Sequence, residues 1–414
     1  MANIINNIKD VGAALSTLAA GFLVDSNQAI KVFDKEPTKS FGSVDGYKKG
    51  QTINIAKPAR PAVNTTADIT SAIADLVEEN VALTLSNQYN VPLSFTSKEL
   101  VTKIDVASFA ERILKPSLNV LGNTVESTVL STVKNATYNS VGTANSTTFD
   151  TDTMLAARER LMFGLVPDAG TDGMYALLNS TAMRSANNAR KGLPNPQTQV
   201  GKQYIKGFMF EADGFQYLEN QKLPTHTCGT RAATGATLTT TSVNGATTVA
   251  ITGTGSQTIT AGDVFTIANV YAVDPVTKAT LGFLQQFVCT ATNTASGGAY
   301  TGVQISPTIY DATTGKTLQT VSALPASGAA IIFVGAASSS AVQNFAFHKS
   351  AVRLATVPLF EPKGVDMVAQ STVDGITVRI LRDYDPRLDI DIFRADILWG
   401  VTVVRPEWIT RITA

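Results

Sequence analysis

At 414 residues, with 44% hydrophobic and 16% charged side chains, the chain has the make-up of a folded protein with room for two or three cored domains, which excludes a disordered tail. Its 33 Lys and Arg balance 33 Asp and Glu, and that neutrality argues against a dedicated nucleic-acid binder, which needs excess cations to displace counterions from phosphates. Cys228 and Cys289 are too few for a disulfide framework and read as reduced, small apolar side chains.

The first element is the apolar run VGAALSTLAAGFLV, Val11 to Val24. Lys9 is offset by Asp10, so the basic flank of a signal peptide is missing, and fourteen residues are too few to span a bilayer. Synthesis in the cytoplasm is the expectation. Ile4, Ile8, Val11, Leu15, Leu18 and Phe22 recur at spacings of four and three, which predicts one apolar stripe on a helix. Such a stripe folds either onto its own domain or onto a neighbouring subunit.

From residue 42 to 97 the pattern is extended. QTINIAKP (Gln51 to Pro58) alternates Ile53 and Ile55 with polar residues, and Val81, Leu83, Leu85, Val91, Leu93 and Phe95 alternate again. The long excursion between these runs predicts a projecting arm. Residues 106–136 read as helix, with Val120, Val125, Val129 and Val133 facing inward and Pro116 in the first turn of its longer part. A further helix is predicted behind Asp150 or Thr151 as N-cap. Next come a buried strand from Met174 to Asn179 and a helix capped by Asn179 or Ser180 and stopped by Gly192.

Composition then shifts. Between Thr230 and Phe345 only Arg231, Asp263, Asp274, Lys278, Asp311 and Lys316 are charged, six of the chain's 66 charged residues. Short apolar runs punctuated by Gly, Asn, Asp and Pro predict a small antiparallel β-domain here. Charge returns with ITVRILR, the turn DYDP and two more strands up to Val404, as expected if a β-module is inserted between two halves of one domain.

Chemistry is harder to place. His226 and His348 are the only histidines, and Thr-His-Thr-Cys around His226 offers at most two soft metal ligands against the four of a structural zinc site. GKT at Gly315 lacks the upstream glycine of a phosphate loop, where Tyr310 stands, and GTGSQT at Gly253 has Thr258 in place of the third glycine of a dinucleotide motif. No G-x-S-x-G elbow occurs. RDYDPRLDIDIFRAD lacks a calcium loop's glycine and terminal glutamate; it reads as a solvated or subunit-facing strand edge with Asp389 and Asp391 on one face and Arg394 nearby. No enzyme, cofactor or metal site is expected.

The order of elements resembles the tailed-phage major capsid proteins of the Hong Kong 97-type fold, in the short-tailed-phage branch with an inserted β-domain. QTINIAKP and VALTLSNQYNVPLSFTS resemble the extended loop, and ERILKPSLNVLGNTVESTVLSTV resembles the approach to the spine helix. GLVPDAGTDGMYALLNSTAMRSANNA resembles the axial strand–helix pair, and GITVRILRDYDPRLDIDIFRADILWGVTVVRPEW the closing strands. The resemblance implies an α+β chain divided into an N-terminal arm (1–40), extended loop (41–97), spine helix and peripheral domain (98–140), axial domain (141–226), inserted β-barrel (227–345) and closing strands (346–414).

The resemblance also implies a coat protein that self-assembles as hexamers and pentamers into an icosahedral shell around double-stranded DNA, touching that DNA loosely. Its expected partners are a separate scaffolding protein and a portal protein, with the presence of a decoration protein left open, and with no membrane and no maturation cleavage of this chain. Expected assembly contacts are the stripe Ile4, Ile8, Val11, Leu15, Leu18 and Phe22, with Lys57 and Arg60 on the arm meeting a neighbour near Asp389, Asp391 and Arg394. A β-rich tail protein or adhesin, an enzyme and a bacterial nanocompartment shell are the competing readings.

Overall fold

A computed structural model describes residues 16–21, 23–24, 27–35, 52–57, 67, 79–96, 113, 115–143, 149–167, 173–189, 211–312 and 318–413. The chain divides into two compact units. The first joins Met1–Ile55, Ala82–Leu130 and Val352–Thr402; the second joins Ala56–Val81, Ser131–Ala351 and Val403–Ala414.

The first unit is organised by a six-stranded sheet in the order Asp34–Lys35, Val352–Thr356, Ile390–Val403, Ile376–Asp385 and Met367–Val373, with Asn87–Thr96 also pairing along Ile390–Val403. Alternation along Ile390–Val403 turns Asp391, Phe393, Ala395, Ile397 and Trp399 to one buried face. Trp399 is fully buried, with the Tyr89 ring edge-on at 5.5 Å. Gly400 is required beside it, because a Cβ there would lie 2.4 Å from the Thr84 carbonyl oxygen. Ile53 and Ile55 of the arm pack on Leu83, Leu85, Val357 and Leu398, so the alternation in QTINIAKP anchors the arm's base.

Helix α1 (Gln28–Val32) precedes the long helix α2 (Lys115–Ala136), whose first turn holds Pro116 as expected. The buried stripe of α2 runs through Leu118, Leu121, Val125, Val129 and Val133. Val120 departs from expectation. At 60% exposure it points outward, about 100° around the helix from Leu121. The buried Glu126 carboxylate accepts the Ala29 N–H at 2.7 Å, tying the start of α1 to α2.

The second unit holds a mixed six-stranded sheet in the order Ser140–Val141, Ile409–Ile412, Asn344–His348, Met174–Leu178, Phe215–Glu219 and Glu211–Ala212. Helix α3 (Thr151–Phe163) starts at Asp150, whose carboxylate accepts the Thr153 N–H at 2.9 Å. Helix α4 (Ser180–Ala189) starts at Asn179, which accepts the Ala182 N–H at 2.7 Å. The expected stop at Gly192 lies outside the described residues.

The charge-poor segment forms a third six-stranded sheet, in the order Ala236–Thr237, Ala330–Phe333, Val264–Val273, Thr280–Cys289, Ala299–Ile309 and Ala246–Thr252. Its first and last strands meet through a Leu238–Ile251 bridge and a Thr239 N–H to Ala250 carbonyl bond of 2.9 Å. The sheet therefore closes into a barrel. Phe265 stacks on Phe287 at 5.8 Å and meets Phe333 tilted at 5.4 Å inside it, among Ile251, Ile267, Val303 and Ile331. Each such side chain contributes about 1.5–3 kcal/mol by leaving water. Chain entry and exit are adjacent: Thr225–Thr227 pairs antiparallel with Ser340–Val342, opposing His226 and Ala341.

Candidate functional site

Of the eleven contact residues expected from sequence, five are described: Leu18, Lys57, Asp389, Asp391 and Arg394. Ile4, Ile8, Val11, Leu15, Phe22 and Arg60 lie outside the described residues. Leu18 is half exposed, whereas Ser16, Ala19, Ala20, Leu23 and Val24 are buried. Within this stretch the inward face is thus rotated off the expected stripe. Gly122 of α2 admits the close approach of this stretch, since a Cβ there would lie 3.4 Å from Leu23 and 2.3 Å from Asn27.

Lys57 pairs with Glu79 across the arm at 3.5 Å, and both line a cleft with Tyr138, Tyr310 and Arg405. The acidic run is also committed internally. Asp391 is buried and pairs with Arg382, while Arg394 binds Asp396 at 2.5 Å. Ile390–Val403 is not the strand edge expected from its polar pattern, since Ile376–Asp385 and Asn87–Thr96 flank it. Of this group Asp389 lies in the turn, at φ 51° and within 2.7 Å of the Tyr384 hydroxyl.

The most concentrated chemistry lies at the barrel's neck. Asp263 is wholly buried and holds four donors: His226 Nε2 at 3.0 Å, Arg231 at 3.3 Å, and the backbone N–H groups of Gly229 at 3.1 Å and Thr260 at 2.9 Å. Burial pushes its carboxyl upward, but His226, Arg231 and the Thr260 N–H outweigh this and hold it below the ordinary carboxylate value. Burial lowers the His226 imidazole below its ordinary value against the pull of Asp263, and the positive charges of Arg411 and Lys134 add to the lowering.

Arg411, buried throughout, donates to the carbonyls of Gly262 at 2.6 Å and Lys134 at 3.2 Å and to the Gln343 side chain at 3.1 Å. Burial brings it down to about 10. One guanidinium thereby joins the closing strand, the end of α2, a barrel loop and the exit strand.

His226, Cys228 and Asp263 present atoms within 4.8 Å of one another, a spacing that could suit a metal. The carboxylate is already saturated, however, and Arg231, Lys134 and Arg411 make the surroundings cationic. The cluster works as a structural joint. His226, isolated in sequence, is paired in space; the clue was that a lone Asp and Arg in a charge-poor barrel must find partners.

A family model described as P22 coat protein, gene protein 5, matches residues 42–411. The chain belongs to the P22 coat protein family. As a member of that family it is a major capsid protein, a self-associating shell subunit of the phage virion. No curated protein matches the coat protein. Among solved structures it is similar to a chain from Mycobacterium phage Che8 at 12% identity, covering 93% of this chain and 90% of that one, TM-score 0.47. It is also similar to the capsid of Ralstonia phage GP4 at 7% identity, covering 92% and 86%, TM-score 0.48. The holo-SrpI encapsulin complex from Synechococcus elongatus gives 9% identity, 93% and 85% coverage, and TM-score 0.42. Among the coat protein's described residues, no helix is long and apolar enough to cross a membrane.

Proposed function

We propose that this coat protein builds an icosahedral shell of hexamers and pentamers around phage double-stranded DNA, guided by a separate scaffolding protein and interrupted at one vertex by a portal protein. The family match over residues 42–411 carries this reading. Zero net charge supports a container that touches its DNA loosely. The reading is structural and not catalytic: the buried histidine His226 is engaged by Asp263 at the neck.

In the proposed division of labour the arm around Lys57 and Arg60, the N-terminal stripe from Ile4 to Phe22, and the turn carrying Asp389 reach neighbouring subunits. Residues 227–345 act as an inserted barrel domain, a reading supported by closure of the sheet and pairing of its end strands. A decoration protein would bind the outside.

Coexpression with the phage's scaffolding protein, followed by negative-stain microscopy, tests the assembly reading. Uniform closed particles are expected; persistent monomer, or fibres, would overturn it.

A further inference from the structure

The hairpin between Ile376–Asp385 and Ile390–Val403 ends in a turn braced from within. The Asp385 carboxylate accepts the Arg387 N–H at 2.9 Å, the Tyr384 hydroxyl donates to Asp389 at 2.7 Å, and Asp389 adopts a left-handed φ of 51°. A non-glycine residue in that region is strained unless its surroundings hold it. This rigid turn nevertheless displays Leu388 at 67% exposure, beside Tyr384 at 48%. Asp383, Asp385 and Asp389 outnumber Arg387 there, so the apolar knob carries a negative rim.

The same unit holds a surface of opposite character. Arg379 binds the buried Asp396 at 3.2 Å and Arg394 binds it at 2.5 Å, so two guanidinium groups share one carboxylate and leave one positive charge in excess. Arg379 also donates to the backbone carbonyl of Phe360, whose ring stands 80% exposed. Exposed Glu361 and Lys363 beside the ring offset one another, so this surface pairs an open aromatic ring with one excess positive charge, shown to solvent mainly by Arg394.

We propose that the Leu388 turn of one subunit docks on the Phe360–Arg379–Arg394 surface of a second copy of this chain. The inference rests on the shell-forming reading above and names a contact within it. Apolar groups meet apolar groups, and the acidic rim meets the excess guanidinium charge. Because knob and socket are different patches of one subunit, the contact is heterologous, the type that closes rings when its rotation allows. A single contact of this size is small against a stable interface, so its effect accumulates through repetition around the shell.

The test is a pair of cysteine substitutions at these exposed positions, Leu388→Cys with Phe360→Cys. The native Cys228 and Cys289 are buried and give little background. Oxidised closed particles of the double variant should run as a ladder of linked subunits on non-reducing gels, and the single variants as monomers. Linking by Leu388→Cys alone would mean that turns meet one another, which overturns the proposed socket. Particles of the double variant that close without cross-links overturn the contact, whereas failure of the wild-type chain to form particles sinks the shell reading itself. Leu388→Ser provides a second arm. It should leave monomer melting unchanged and lower the temperature at which particles release subunits; equal heat resistance would count against the docking.

Discussion

His226 shows what one buried side chain adds to the fold. Its Nε2–H is engaged by Asp263, and its Nδ1 has no hydrogen-bond partner among the described residues. Protonation would place a second cation beside Arg411 and Lys134. Because the folded-state value is lowered, the unfolded chain takes up the proton first. The stability held by neutral His226 is therefore present above about pH 6.5 and lost as pH falls from there through the folded value. Thermal melts from pH 7.5 to 5 should show this decline, roughly 1 °C for each kcal/mol lost by a chain of this length. His226→Gln should flatten it; an unchanged slope would assign the acid sensitivity to another group. Asp263→Ala strips a partner from Arg231 and His226 together and should cost about 3–5 kcal/mol, as breaking a buried pair does. Denaturant titration of the monomer reads that loss. Sequence spacing could not reveal this cluster, because His226 and Asp263 stand 37 residues apart and meet only after the barrel closes.

Elements were legible where their signals are local. Asp150 and Asn179 cap helices because a short acceptor three residues before a free N–H is a contact within one turn. Asp150→Ala should cost about 1 kcal/mol, measured by urea unfolding. On α2 the valines at 125, 129 and 133 follow the four-residue rise of one face, but Val120 lies off it; hydrophobicity alone does not fix a helix's rotation. Leu118→Ala should therefore cost about 2–5 kcal/mol, and Val120→Ala should stay within about 0.5 kcal/mol. Equal effects at both sites would reverse the assigned face. The closing strands taught the complementary lesson. Alternation along DIDIF shows which side chains share a face, but strand neighbours come from distant sequence, so an inner strand reads like an edge.

At the scale of the whole chain, order carried more than any motif. Extended strands, long helix, strand–helix pair, charge-poor β-segment and closing strands were visible in sequence because each has its own periodicity or composition. Assembly surfaces carry no such local signal, since they need only exposure and shape. Low charge between residues 230 and 345 now has a physical setting. Closing the sheet removes the long open edges that charge would otherwise guard, while hydroxyls pair across the surface, as Thr230 does with Thr258. A fragment spanning residues 225–342 should be soluble, show β-type circular dichroism and melt in one transition. A fragment without a cooperative melt would tie the barrel's stability to the rest of the chain.

The pairing of Thr225–Thr227 with Ser340–Val342 bears on how the rest of the chain folds. A disordered loop of that length would charge the host about 4 kcal/mol in closure entropy before its flanking strands could meet. Once folded, the barrel holds those two ends side by side and removes most of that charge. To its host it then behaves as a clasp with almost no length of its own. Replacing it with a few residues of Gly and Ser should let Asn344–His348 keep its register beside Met174–Leu178, which hydrogen exchange along those strands would show. Because the segment enters and leaves through one strand pair, its removal would leave the order of the flanking strands unchanged.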